Sequence, residues 1–235
     1  MTQSQEKSYL NSAHANRFIL FRIARGSKAF TLLGAMFLQI ILQPLDHGFP
    51  LLSLILQLSL IFAIIFMVAD SRLHLMTGLI LGIPASLLLI FSERNGYTTI
   101  TWIAYSLILF LYLHVLRLMM MQIFQTKKIT LETIALAMCT YVLLGNLWTI
   151  LYIPVAAFSP GAFVLNTAAG AAPIFDQLSY FSFVTLTTLG YGDVLPVAPL
   201  ARSLAVLEAL TGTLFLAVLI SRLVGSYSSE RRDNS

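Results

Sequence analysis

The chain has 235 residues, of which 58% are hydrophobic and 10% charged, and its mean hydropathy is +0.85. Because soluble domains carry about 25% charged residues, this composition excludes an ordinary soluble domain and predicts a multi-pass membrane protein. The net charge of +4 does not predict nucleic-acid binding, since the basic residues cluster beside apolar segments. The single cysteine, Cys139, excludes an internal disulfide and fits no metal motif.

Residues 1–28 form a polar and then basic N-terminal lead-in, which we expect in the cytoplasm. Arg17, Arg22 and Arg25 are interspersed with large apolar residues. That pattern is typical of an amphipathic segment on an anionic membrane surface, so membrane lipids are expected partners. An ordinary lead-in to the first span explains it equally well.

Residues 29–121 are expected to form a four-helix front, because their apolar runs approach the ~20 residues that cross the hydrocarbon. The spans are predicted at 29–43, 50–69, 73–91 and 98–121. A polar linker, 122–130, follows.

The layout of the front resembles that of a voltage sensor, but its charge does not. A sensor helix supplies 3–4 gating charges per subunit, whereas the fourth span holds only His114 and Arg117. Arg117 lies near the cytoplasmic end, where its side chain can reach the interface. We therefore expect weak voltage dependence.

Residues 131–225 differ from the front because they contain an apolar segment too short to span. A fifth span is predicted at 131–153 and a sixth at 199–225, with an irregular loop at 154–173 and a short helix at 174–187. A helix that stops inside the membrane is re-entrant, and such backbone is tolerated only when buried in protein or lining water.

The distribution of basic residues tests the count of six spans. An inside N-terminus leaves only Arg94 and Arg202 outside. The cytoplasmic side then receives Arg17, Arg22, Arg25, Lys28, Arg72, Lys127, Lys128, Arg222, Arg231 and Arg232. This bias requires an even number of spans, with both termini in the cytoplasm. The tail, 226–235, is too short for a ligand-binding domain, so gating is expected within the membrane part or from a partner.

The sequence Thr187-Thr188-Leu189-Gly190-Tyr191-Gly192-Asp193 follows the short helix. Glycine readily adopts positive φ angles, so alternating backbone handedness can turn successive carbonyls toward one axis and replace the water around a cation. Thr188 to Gly192 differs from the TVGYG filter pattern only in Leu189, which stands in place of valine. Residues 131–225 therefore resemble the pore region of the tetrameric potassium-channel superfamily.

The resemblance implies an all-α membrane protein with six transmembrane helices, a re-entrant pore helix and a selectivity-filter loop, assembled as a homotetramer. It implies a potassium-selective channel of the bacterial inner membrane, with K⁺ as the permeant ion and no cofactor. The carbonyls of Thr188, Leu189, Gly190 and Tyr191 would hold the ions, with the Thr188 hydroxyl at the inner end. Gly192 and Asp193 would form the outer mouth.

Three residues are candidates for supporting the filter: Tyr180, Asp193 and Glu208. Tyr180 either directs its hydroxyl toward Asp193 or only packs against neighbouring aromatic rings. Glu208 lies in the outer half of the last apolar helix, and an intramembrane carboxyl is a functional candidate by default. We expect it to be buried and to brace the filter, with hydrogen-bond partners among Tyr180, Thr185 and Thr187.

The last helix also holds a candidate gate. Gly212 falls about where the family places a flexible glycine, although close helix packing explains it equally well. Phe215, Leu219 and Leu223 follow at helical spacing and form either a hydrophobic constriction or ordinary packing.

Two other classes of function remain open. One is a non-conducting or modulatory subunit that needs related partners, which the intact filter sequence disfavours. The other is a multi-pass membrane enzyme, but the sequence shows no nucleophile–base pair or metal-binding motif, so an enzyme is not expected.

Overall fold

The computed structural model describes residues 28–42, 50–68, 72–95, 98–126, 129–165 and 173–233. The predictions for residues 1–27 and for the last two residues of the tail lie outside this part of the chain. The described helices are α1 (Lys28–Leu42), α2 (Pro50–Val68), α3 (Arg72–Asn95), α4 (Thr98–Gln125), α5 (Leu131–Phe158), α6 (Ile174–Leu186) and α7 (Pro199–Asp233). The described strands are β1 (Phe163–Val164) and β2 (Leu195–Pro196).

Four of these helices contain segments long and apolar enough to cross a membrane. The segments are Arg72–Ser92, Thr99–Gln125, Leu131–Phe158 and Pro199–Gly225. Shorter apolar segments, Lys28–Leu42 and Leu58–Met67, lie where the sequence predicts the first two spans. The chain is therefore a multi-pass membrane protein, and the count of six spans remains a prediction.

The helices α1 to α5 share one hydrophobic core. Its fully buried side chains include Leu32 of α1, Ile64 of α2, Leu111 of α4 and Leu143 of α5. Gly82 lets α3 approach α2 closely, since a Cβ there would lie 2.9 Å from Ile61. The four-helix front thus packs directly on α5.

The helix α5 is longer than the sequence predicts. Thr130 caps its N-terminus, accepting a bond from the backbone N–H of Thr133. The predicted end at residue 153 is wrong, because the helix continues through Pro154 to Phe158. Proline removes one N–H donor but leaves the following turn intact, and proline is tolerated within transmembrane helices. Ser159 N–H then donates to the Val155 carbonyl at 3.1 Å.

A two-stranded antiparallel pairing joins the segment after α5 to the segment before α7. Phe163 pairs with Pro196 and Val164 with Leu195. The carbonyl of Ala162 also accepts bonds from Val197 N–H at 2.7 Å and Ala198 N–H at 3.1 Å. The strand pairing therefore holds together the two ends of residues 165–194, the segment that includes α6 and the glycine-rich loop.

Candidate functional site

The glycine-rich loop is built on the last turn of α6. This helix has 13 residues, about 20 Å at 1.5 Å per residue, which is shorter than the ~30 Å hydrocarbon core. After it, Leu189 N–H donates to the Val184 carbonyl at 2.9 Å, and Gly190 N–H reaches the same oxygen at 3.3 Å. The helix end thus fixes where the loop begins.

The loop has an alternating backbone. Thr188, Gly190 and Gly192 have φ angles of +58°, +57° and +78°. Among the described residues, Thr188 is the only non-glycine with positive φ, an unfavourable conformation for a β-branched side chain. The two glycines predicted the alternation, but no residue pattern predicted the left-handed threonine. A strained residue of this kind persists only when its surroundings impose it, as at functional sites.

The residues of the loop are exposed on the surface of the single chain. Leu189 is 55% exposed and Tyr191 is 68% exposed, and residues 187–193 are exposed throughout. The chain therefore leaves the side chains of its proposed filter largely uncovered.

Tyr180 and Asp193 connect α6 to the end of the loop. The pKa of the Tyr180 phenol is raised, first by partial removal from water and then by a hydrogen bond to Asp193. The Asp193 carboxylate also accepts the backbone N–H of Val194 at 3.1 Å. This interaction with Asp193 favours the first of the two alternatives for Tyr180, in which its hydroxyl is directed toward Asp193.

Glu208 is fully buried, as predicted, with 0% exposure, but its predicted partners are wrong. Tyr152 O–H donates to Oε2 at 2.6 Å, and Ser182 Oγ lies 2.5 Å from Oε1. Thr187, one predicted partner, instead donates its hydroxyl to the Phe183 carbonyl within α6. Tyr152 and Ser182 were missed because their proximity depends on how three distant helices are rotated against one another.

Gly212 packs against the end of α6. A Cβ there would lie 2.2 Å from the Leu186 carbonyl oxygen, so the glycine permits a backbone contact that any side chain would block. Tyr141 O–H donates to the same oxygen at 3.0 Å. This contact supports the packing interpretation of Gly212, while a hinge remains a prediction.

The candidate gate residues pack inward. Phe215 lies beside Tyr141, with ring centroids 5.9 Å apart. Phe215 and Leu219 are half-buried against the core that α5 shares with the front. In the single chain, packing therefore accounts for both side chains.

Comparison with known proteins shows what this region is similar to. Residues 129–228 match the family model described as "Ion channel". The inward rectifier potassium channel Kirbac3.1 of Paramagnetospirillum magnetotacticum is 43% identical over 54 residues, covering 23% of this chain and 18% of that protein. Two pore potassium channel c of Oryza sativa subsp. japonica is 40% identical over 65 residues, 28% of this chain and 14% of that protein.

The match to a shorter relative covers a larger share of that protein's length. Protein LctB of Geobacillus stearothermophilus is 37% identical over 67 residues, which are 28% of this chain and 48% of that protein. The matched segments thus span less than half the length of these relatives. No solved structure gives a significant match. These similarities support a relationship to the potassium-channel superfamily, and the family-model match covers α5, α6, the loop and most of α7.

Proposed function

We propose that this chain, in which the ion-channel match covers residues 129–228, is one subunit of a homotetrameric potassium-selective channel. The carrying observation is the positive φ angle at every second residue from Thr188 to Gly192. That alternation is the backbone condition for carbonyls that face one axis. K⁺ passes when such carbonyls replace its hydration shell.

The ion-binding groups are the carbonyls of Thr188, Leu189, Gly190 and Tyr191, with the Thr188 hydroxyl at the inner end. Gly192 completes the loop. The preceding helix adds to cation stability, because the C-terminal end of a helix carries partial negative charge and α6 ends directly before the loop. No step requires a cofactor, and K⁺ is the transported ion.

Four copies are required because one chain supplies one filter loop. The exposed side chains of Leu189 and Tyr191 support this requirement, since neighbouring copies would cover them. Assembly in the bacterial inner membrane, six spans and cytoplasmic termini complete the proposal.

Weak voltage dependence follows from the composition of α4. Its membrane segment holds one arginine, Arg117, and His114 lies 3.2 Å from the Thr77 hydroxyl of α3. A charge that crosses the whole field contributes ~2.3 kcal/mol per 100 mV. One arginine in each of four subunits supplies too little for the steep opening of an arginine-rich channel.

The test is single-channel recording of purified protein in planar bilayers under opposing K⁺ and Na⁺ gradients. We expect a reversal potential close to that of K⁺ and a shallow conductance–voltage curve. A biionic reversal near zero would overturn selectivity, and a steep curve would overturn weak voltage dependence. Current that appears only after addition of a related subunit would indicate a modulatory chain instead.

Gly190→Ala provides a variant matched to a control. Gly190 has φ +57°, so an added Cβ strains the loop although space is available there. Gly34→Ala, in α1, also adds a Cβ to open space but without positive φ. We expect the first variant to lose selectivity or conduction and the second to behave as wild type.

A further inference from the structure

Three helices of the pore region meet at one buried carboxyl. Glu208 of α7 is bonded to Tyr152 of α5 and lies 2.5 Å from Ser182 of α6. Ser182 Oγ also lies 2.7 Å from the Gly145 carbonyl of α5. Each of these groups is buried, so water does not supply the missing donors or acceptors.

The number of protons in this cluster is limited. A serine hydroxyl has one hydrogen to donate, but Ser182 has two oxygens within hydrogen-bond distance, Glu208 Oε1 and the Gly145 carbonyl. The carbonyl can only accept. If the carboxyl were ionised it could also only accept, and one of the two short contacts would lack a hydrogen.

The charge around Glu208 gives an independent argument. No basic side chain interacts with it among the described residues. Arg202, nearly two turns earlier on α7, donates instead to the Pro196 carbonyl. The titratable groups that face Glu208 from α5 are the phenols of Tyr152 and Tyr141, and α6 offers it the uncharged Ser182. A buried carboxylate without a countercharge is strongly unfavourable.

We propose that Glu208 is a neutral carboxylic acid at neutral pH and serves as a hydrogen-bond donor. Its Oε1–H donates to Ser182 Oγ, Ser182 donates to the Gly145 carbonyl, and Tyr152 donates to Oε2. Every hydrogen then has one acceptor. The bound proton links α7 to α6 and α5, which makes Glu208 a positioning residue for the helix that carries the filter. This last role rests on the proposed channel function, whereas the protonation state does not.

The protonation state is measured directly by infrared spectroscopy of the protein in lipid at pH 7. A protonated carboxyl shows a carbonyl stretch that a carboxylate lacks. We expect the difference between wild type and Glu208→Gln to contain that band. Glu132→Gln, in the first turn of α5, should lose only carboxylate bands and serves as the control. Loss of carboxylate bands alone in Glu208→Gln would overturn the inference.

Ion flux supplies the second readout. The Gln amide can donate to Ser182 and accept from Tyr152, so Glu208→Gln should keep K⁺ flux, whereas Glu208→Leu should lose it about tenfold or more. Loss of flux in Glu208→Gln, with the tetramer intact, would contradict the positioning role. If the protonated band is present but wild type passes no K⁺, the channel proposal fails and the protonation state stands. If wild type passes K⁺ but the protonated band is absent, the channel proposal stands and the proposed protonation state is wrong.

Discussion

The helices α5 and α7 have similar length and hydropathy but opposite surroundings. Their membrane segments have 28 and 27 residues and mean hydropathies of 1.8 and 2.1, yet in an 18-residue stretch of each, 67% of the first and 11% of the second is buried inside the chain. Hydropathy alone therefore does not determine which apolar helix forms the core of a membrane protein. The difference is made by where each helix finds atoms to pack against.

The contacts of α7 with its own chain lie along one line. Between Pro199 and Gly225, its buried residues are Ala201, Glu208 and Gly212, which share a face at helical spacing. In lipid, helices associate through close packing of small residues and through hydrogen bonds rather than through the hydrophobic effect. Gly212 supplies the close packing, and Glu208 supplies the hydrogen bonds. The opposite face of α7 is left for lipid and, in the proposed tetramer, for neighbouring copies.

The largest effect should follow from blocking the close contact of α7. Gly212→Ala places a methyl group 2.2 Å from a backbone oxygen, which cannot rotate away as a side chain would. We expect a loss of about 3 kcal/mol in the free energy of unfolding, measured by denaturation in detergent. Gly225→Ala, on the same helix with open space around it, is the matched control. Equal stability of the two variants would show that the contact does not hold α7.

A smaller effect is expected when a buried leucine of α5 and an exposed leucine of α7 are each replaced by alanine. Leu143 on α5 is fully buried and Leu214 on α7 is 61% exposed. Leu143→Ala should cost roughly 2 kcal/mol, the lower end for a buried leucine, because the cavity remains while lipid replaces water as the reference. Leu214→Ala should leave the fold of the single chain unchanged and alter only assembly, measured by the fraction of tetramer. If it destabilises the fold equally, the comparison is wrong.

The smallest effect is expected at Tyr180, where the bond to Asp193 depends on neither α5 nor α7. Since the folded protein raises the pKa of this phenol, it favours the neutral form. That contribution is complete below the ordinary pKa of about 10 and is lost as pH rises through the higher folded value. Tyr180→Phe should lower thermal stability by less than about 1 kcal/mol at pH 7, because the phenol is half-exposed. A difference that persists above the folded pKa would contradict this origin.

The sequence predicted the elements better than their contacts. The short helix before the glycines was predicted at 174–187 and found at Ile174–Leu186. This helix could be predicted because its length, its hydropathy and the glycines that follow it are all properties of one short segment. The pairing of Phe163 with Pro196 was missed, since two residues in each strand leave no alternating pattern.

The partners of Glu208 show the limit most clearly. A tyrosine within the apolar α5 was the only available signal, and Tyr152 lies 56 residues before Glu208. The meeting of these side chains depends on the relative rotation of α5, α6 and α7. No single segment encodes that rotation, because each helix alone is apolar on most faces.

The strand pairing at Phe163 and Pro196 has a consequence for engineering. It anchors the chain at residues 162–164, and α6 begins independently after Pro173. Extra sequence inserted between positions 165 and 173 would therefore lengthen a connection whose two ends are already held. Each doubling of the length of a flexible connection costs only about 0.6 kcal/mol. This stretch is the natural place to graft an epitope or a binding module while leaving the sequence of the proposed filter unaltered.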